Sequence, residues 1–237
     1  MTRLVPLNNE AHRELKIASE NIDAIGANER MVPVVVSEFL KLSVQYPIVL
    51  TKNADTGLFV PVVLTGFKED ENLFWTGKRW DALYVPLNIR RQPFFIGHSD
   101  QPEGGYTICV DMESNCVSLE NGERIFDSNG KDTEYYAKAK IQLANLLEGE
   151  LQTQDFIKTL AGMNLFTALG LEISFVNDEK EKLHSLYTID EKILDALSNE
   201  DITQLHEKKY LKPLFIMMSS LSHIYTLVER KNKRLIN

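Results

Sequence analysis

Cysteine is scarce in this chain. Cys109 and Cys116 are the two among 237 residues, too few for a disulfide framework, and both read as buried free thiols. Excess positive charge is missing as well. Lys and Arg number 26 against 34 Asp and Glu, a formal net charge of −8, so a nucleic-acid backbone is not an expected partner unless basic residues cluster locally. The one dense basic run, Arg230 to Arg234, follows an apolar helical pattern, where positive charge complements the negative end of a helix dipole. No uncharged apolar run reaches the ~18 residues of a membrane span. Residues 1–10 lack the apolar core of a secretory signal. A cytoplasmic protein without membrane insertion is expected. None of His12, His98, His184, His206 and His223 stands three or four residues from another His or Cys, so no local metal motif exists. There is no Gly-x-Ser-x-Gly elbow, and Glu103-Gly104-Gly105-Tyr106 is too short to cradle phosphate. No cofactor is expected.

What is present changes character along the chain. Val32 to Val36 is short and β-branched, and Ser37 is placed to cap a helical turn carrying Phe39, Leu40 and Val44. Tyr46 to Leu50 and Leu58 to Gly66 flank the turn-forming Asn53-Ala54-Asp55-Thr56-Gly57, which predicts a hairpin over 47–65. Residues 98–105 are polar and rich in Gly and Pro, as expected of a long loop. Residues 106–111 and 116–120 are expected to form a second hairpin, with Asp111 facing Cys116 and Cys109 facing Ser118.

From about residue 132 the pattern turns helical. Asp132 is a candidate cap for a helix with the stripe Tyr136, Ala139, Leu143, Leu146 and Leu147. Thr153 is the expected cap of a next helix that stops at Gly170. Residues 171–175 alternate as a strand, with 183–188 as a candidate partner. Asp190 and Ser198 read as caps of two short helices. The final helix, from Pro213, is apolar on nearly every side, so it should be central to packing or bury a face against another chain. These patterns predict an α+β fold: a mainly antiparallel strand-rich lobe (1–131) followed by a helix-rich lobe (132–237), forming one domain.

The candidate recognition residues cluster in the first half. Arg90 and Arg91 are near Trp80, Tyr84, Phe94 and Phe95 in sequence. Guanidinium groups stack on aromatic faces while their N–H forks hold carboxylates, which suggests an anion- or peptide-binding corner. The alternative is an internal pair with Asp81, Asp111 or Asp127. Asp111 and Asp127 each end an expected strand, where aspartate serves either as a turn former or as part of an acid–base or metal pair. The tryptophans fit either a stacked ligand or the core.

Several stretches recur in a recognisable order. Ser37-Glu38-Phe39-Leu40 is followed by Tyr46-Pro47-Ile48-Val49, then by Gly77, Trp80 and Tyr84-Val85-Pro86-Leu87, leading into Ile89-Arg90-Arg91-Gln92-Pro93-Phe94. Cys109-Val110-Asp111, Leu119, Gly122, Ile125-Phe126-Asp127, Gly130, residues 153–156 and Ser219-Ser220-Leu221 complete the series. Together they resemble the SapC family of bacterial proteins, from about residue 5 to residue 230. Gln92 departs from the pattern, standing where an aromatic is common in the family, and Leu73-Phe74-Trp75 is a variant of a looser one. The resemblance implies a link to cell-surface or TonB-dependent uptake systems, with halogenase-like and cupin-like oxygenase neighbours, and brings no catalytic residue set.

The expected role is therefore that of an intracellular, non-catalytic accessory or binding protein. It would take a protein partner or small ligand through Trp80, Tyr84, Arg90, Arg91, Phe94, His98, Asp111 and Asp127, with a homodimer possible. The rival reading is an enzyme, or an enzyme's partner, that modifies a small molecule or peptide.

Overall fold

A computed structural model describes residues 3–98 and 105–236. Its strands are β1 (Leu4–Pro6), β2 (Lys16–Ile17), β3 (Met31–Pro33), β4 (Ile48–Lys52), β5 (Phe59–Leu64), β6 (Phe94–His98), β7 (Tyr106–Asp111), β8 (Val117–Ser118), β9 (Glu123–Arg124), β10 (Phe166–Ala168), β11 (Leu171–Ser174), β12 (Lys180–Leu183) and β13 (Tyr187–Ile189). Its helices are α1 (Ile22–Ile25), α2 (Phe39–Leu42), α3 (Leu87–Arg90), α4 (Glu134–Gly162), α5 (Glu191–Asp195), α6 (Asn199–Glu207), α7 (Leu211–Ser220) and α8 (His223–Ile236). The fold is mixed α+β with antiparallel sheets, as the patterning implied. By internal contacts the chain forms two compact units: residues 1–26 with 87–148, and residues 27–86 with 149–237.

The first unit holds the three-stranded sheets β1-β7-β6 and β8-β2-β9. Its core gathers Leu15, Ile17, Phe94, Val110, Cys116, Ile125 and Phe126 against Tyr136, Ala139 and Leu143 of α4. Those three helical residues are spaced by three and four, so one face of the helix meets the sheets. The expected hairpin between 106–111 and 116–120 does not form. β7 pairs with β6 and β1, placing Cys109 opposite Phe95 and Pro6, while β8 pairs with β2. The turn at 111–117 redirects the chain: Ser114 N–H donates to the Asp111 carbonyl, and Val117 N–H to the Ser114 carbonyl.

The second unit is built on the five-stranded order β10-β13-β4-β5-β3, with the β11-β12 ribbon beside it in sequence. The predicted hairpin is present as β4–β5, with Leu50 opposite Pro61. Its turn is closed by the Asn53 side chain, which accepts the Asp55 and Thr56 N–H groups. Asp190 caps α5 and Ser198 caps α6, as their positions suggested. Thr153, expected to start a helix, lies inside α4 instead. Its hydroxyl donates to the Gly149 carbonyl one turn back and accepts the Val36 N–H at 2.9 Å, so it back-bonds within a continuous helix. That helix ends not at Gly170 but at Gly162, beyond which Asn164 takes the left-handed conformation that commonly terminates helices.

The apolar C-terminal stretch forms α7 and α8, separated at residues 221–222. Ser219, Ser220 and Ser222 each donate to the carbonyl three residues earlier, the competition that loosens a helix from within. The Ser220 hydroxyl also accepts the Ile48 N–H at 2.9 Å, tying α7 to β4. By length and composition, Leu211–Ile236 would suffice to cross a membrane. In the fold, however, Leu214, Met217, Ile224 and Leu227 are buried while Phe215 and Tyr225 are exposed, the one-sided pattern of a packed amphipathic helix.

The basic run that closes the chain does more than answer a helix dipole. Arg230 donates to Asp81 at 3.0 Å and covers the Phe74 ring at 4.3 Å. Lys231 pairs with Glu71, both largely buried, and Arg234 donates to the Trp75 carbonyl. The last helix is thereby fastened to the 71–81 segment.

Candidate functional site

The sequence-predicted residues fall into different surroundings. Trp80 and Tyr84 belong to the second unit and sit in a polar chain that runs inward. The Trp80 indole N–H donates to the Tyr46 hydroxyl at 2.8 Å, which donates to the Tyr84 carbonyl at 2.9 Å. The Tyr84 hydroxyl donates to Glu38 at 3.0 Å, and the other Glu38 oxygen accepts the Val35 N–H. Tyr46, Trp80 and Glu38 are all buried. Buried polar groups require such partners, so the Glu38, Tyr46, Trp80 and Tyr84 positions serve at least as internal scaffolding.

Arg90, Arg91, Phe94, His98, Asp111 and Asp127 belong to the first unit. Arg91 is engaged locally: Nε donates to the Asn88 side chain at 3.0 Å, a second nitrogen donates to the Phe94 carbonyl at 2.8 Å, and the guanidinium stacks 4.1 Å over Phe95. This is the expected arginine–aromatic stack, and it clamps the turn between α3 and β6. The backbone of His98 pairs with Tyr106, while residues 99–104 of the expected loop lie outside the described residues.

Arg90 stands at the end of α3 and lines a cleft of about 280 Å³ with Asp23, Gln92, Phe94, Tyr135, Lys138 and Gln142. Phe94, only 1% exposed, is its floor, with the Tyr136 ring 5.6 Å and the Tyr135 ring 6.5 Å away. Burial pushes the Tyr135 and Tyr136 phenols up to about 12, so both stay protonated near neutrality and act as donors rather than bases. A second, wider cleft of about 640 Å³ shares Gln92 and is lined by Asp111, Glu113 and Asn115. Sequence reading missed Tyr135, Lys138 and Gln142. Their spacing of three and four puts them on one stripe of α4 beside the core residues 136, 139 and 143, a signal visible in hindsight.

The expected carboxylate partners of the arginine pair are engaged elsewhere. Asp81 takes Arg230. Asp111 accepts the N–H groups of Arg3 and Glu113. Asp127 accepts those of Asn129 and Lys131, and the Lys131 N–H above all holds its carboxyl below the usual carboxylate range. Asp111 and Asp127 thus each close a turn, and Asp127 is not among the residues lining either cleft. Burial pushes both cysteine thiols up, away from the thiolate form a nucleophile needs. Among the described residues no three His, Cys, Asp or Glu side chains group to hold a metal ion.

The SapC family model matches residues 7–227. The chain belongs to the SapC family. Comparison with curated proteins and with solved structures returned no match. In this SapC chain, the family-like residues divide between the buried Glu38–Tyr46–Trp80–Tyr84 chain of the second unit and the Arg90–Phe94 cleft of the first.

Proposed function

We propose that this SapC-family protein is a non-catalytic, cytoplasmic binding protein that supports cell-surface or TonB-dependent uptake systems. It takes a small ligand or the end of a peptide in the cleft at Arg90. The observation that carries this reading is the composition of that cleft: the Arg90 guanidinium, the Lys138 ammonium, two carboxamides, the Ser19 hydroxyl and a single carboxylate, Asp23, beside the Phe94 and Tyr135 rings. Polar groups that converge beside apolar side chains, here Ile22, Phe94 and Ala139, can orient a ligand and select it. The guanidinium would hold a carboxylate, and the rings would pack the rest of the ligand. Asp111 and Asn115 in the adjoining cleft would receive donors further along a longer ligand.

Native mass spectrometry of protein purified from its own bacterium, together with affinity capture and cell fractionation, tests the proposal. A copurifying molecule or partner that Arg90→Gln releases, with the protein in the soluble fraction, supports it. Recovery of the protein alone, or capture unchanged by Arg90→Gln, overturns it.

A further inference from the structure

The second unit holds a cavity of about 310 Å³ that the SapC-like motifs do not touch. It is lined by Arg30, Thr51, Lys182, His184 and Ser185 over an apolar floor that includes Leu64 and Leu186. Three of its lining side chains are basic types and none is a carboxylate. That balance runs against a chain whose formal net charge is −8.

Local structure explains how the basic groups are presented. The Arg30 carbonyl accepts the N–H groups of Thr65 and Gly66 at 2.9 and 3.2 Å, which fixes its backbone at the start of β3. Its guanidinium makes no hydrogen bond or ion pair among the described residues. Lys182 reaches Glu172 at 3.4 Å, but both side chains are more than half exposed, so the pair is weak and easily exchanged for another anion. His184, Ser185 and Leu186 form the link between β12 and β13. Ser185 is held at φ +61, a left-handed conformation that is uncommon outside Gly, Asn and Asp and that recurs where a chain is shaped for a ligand. The Thr51 hydroxyl holds the Ser185 carbonyl at 3.5 Å.

We propose that this cavity binds a small organic anion: a carboxylate or phosphate head held by Arg30, Lys182 and His184, with a short apolar body resting on Leu64 and Leu186. Charge-assisted bonds from a guanidinium fork suit both head groups, and the volume is at the lower end of small-ligand pockets. This site is independent of the Arg90 cleft, which belongs to the other unit.

Isothermal titration with benzoate, phenyl phosphate and benzyl alcohol, combined with amide NMR shifts, tests it. At least one of the two anions should bind saturably and shift the Gly66, His184 and Ser185 amides, while the uncharged alcohol should not. Arg30→Gln should weaken the anion about tenfold and Lys182→Gln should weaken it less, both read from the Gly66, His184 and Ser185 shifts. The urea midpoint of each variant establishes that it is folded. The better of the two anions identifies the head group. The proposal is overturned if neither anion saturates at about 10 mM, if the shifts map elsewhere, or if both Arg30→Gln and Lys182→Gln bind like the parent protein.

Discussion

Replacing Lys231 with methionine probes the fastening of the last helix most directly. Glu71 and Lys231 form an ion pair with side chains only 14% and 11% exposed. The second Glu71 oxygen accepts the Phe67 N–H at 2.9 Å and the Lys68 N–H at 3.4 Å. Burial alone would raise the Glu71 carboxyl, but Lys231 and these amides together hold it below its usual range. Methionine fills the space of the lysine stem and strips away the counter-ion, leaving a buried carboxylate with amide donors alone. Removing one partner of a buried pair costs about 3–5 kcal/mol, and the residual exposure here argues for about 3. In Glu71→Gln/Lys231→Met no charge remains, and the carboxamide oxygen still accepts the Phe67 N–H, so the loss should shrink to about 1 kcal/mol. Both tryptophans, Trp75 and Trp80, belong to the second unit, so urea unfolding followed by tryptophan fluorescence reads the relevant part. The sign with pH is fixed as well. A carboxyl depressed by folding contributes stability above its unfolded value, near 4.5, and that contribution fades as pH falls through the lower folded value. Parent stability should therefore decline on acidification below about pH 5, and the deficit of Lys231→Met should narrow over the same interval. A single variant within about 1 kcal/mol of the parent, or a double variant no better than the single, would refute this account.

Three further outcomes are expected. Tyr46→Phe removes the acceptor of the buried Trp80 indole N–H and the donor to the Tyr84 carbonyl; a loss of about 1–3 kcal/mol in urea unfolding is expected, and an unchanged midpoint would show the chain to be incidental. Gly122 sits at φ +111 with its missing Cβ only 2.3 Å from the Ile17 carbonyl oxygen, so Gly122→Ala should destabilise the first unit by about 3 kcal/mol, read as faster amide exchange across β2, β8 and β9. Cys109 and Cys116 are buried and their thiols are pushed up by desolvation, so a thiol reagent at pH 8 should label the native protein far more slowly than the urea-unfolded chain; rapid native labelling of either would contradict their burial.

What sequence reading recovered was local. The β4–β5 hairpin was legible because Asn53 to Gly57 carry their own turn chemistry, and the caps at Asp190 and Ser198 because each bonds within three residues. Thr153 was misread because a threonine hydroxyl serves equally well at a helix start and in back-bonding within one. The partners of Arg230, Lys231 and Arg234 are about 150 residues away in sequence, so no periodicity could name them. The candidate site shows the same limit. Arg91 and Phe95 were legible as an arginine–aromatic pair, but Trp80 and Tyr84, their neighbours in sequence, belong to another unit. Proximity along the chain was a poor guide once the fold changed unit at residue 86.

That interleaving has a bearing on dissection and descent. The chain enters the first unit, leaves at residue 26, returns at 87 and leaves again after 148, part-way along α4. No single cut releases either half intact, and a break at the strand-to-helix boundary near 131 would rob the first unit of the Tyr136–Leu143 stripe that closes its core. Recombination between relatives would have to exchange three junctions together, which favours inheritance of the whole stretch as one piece.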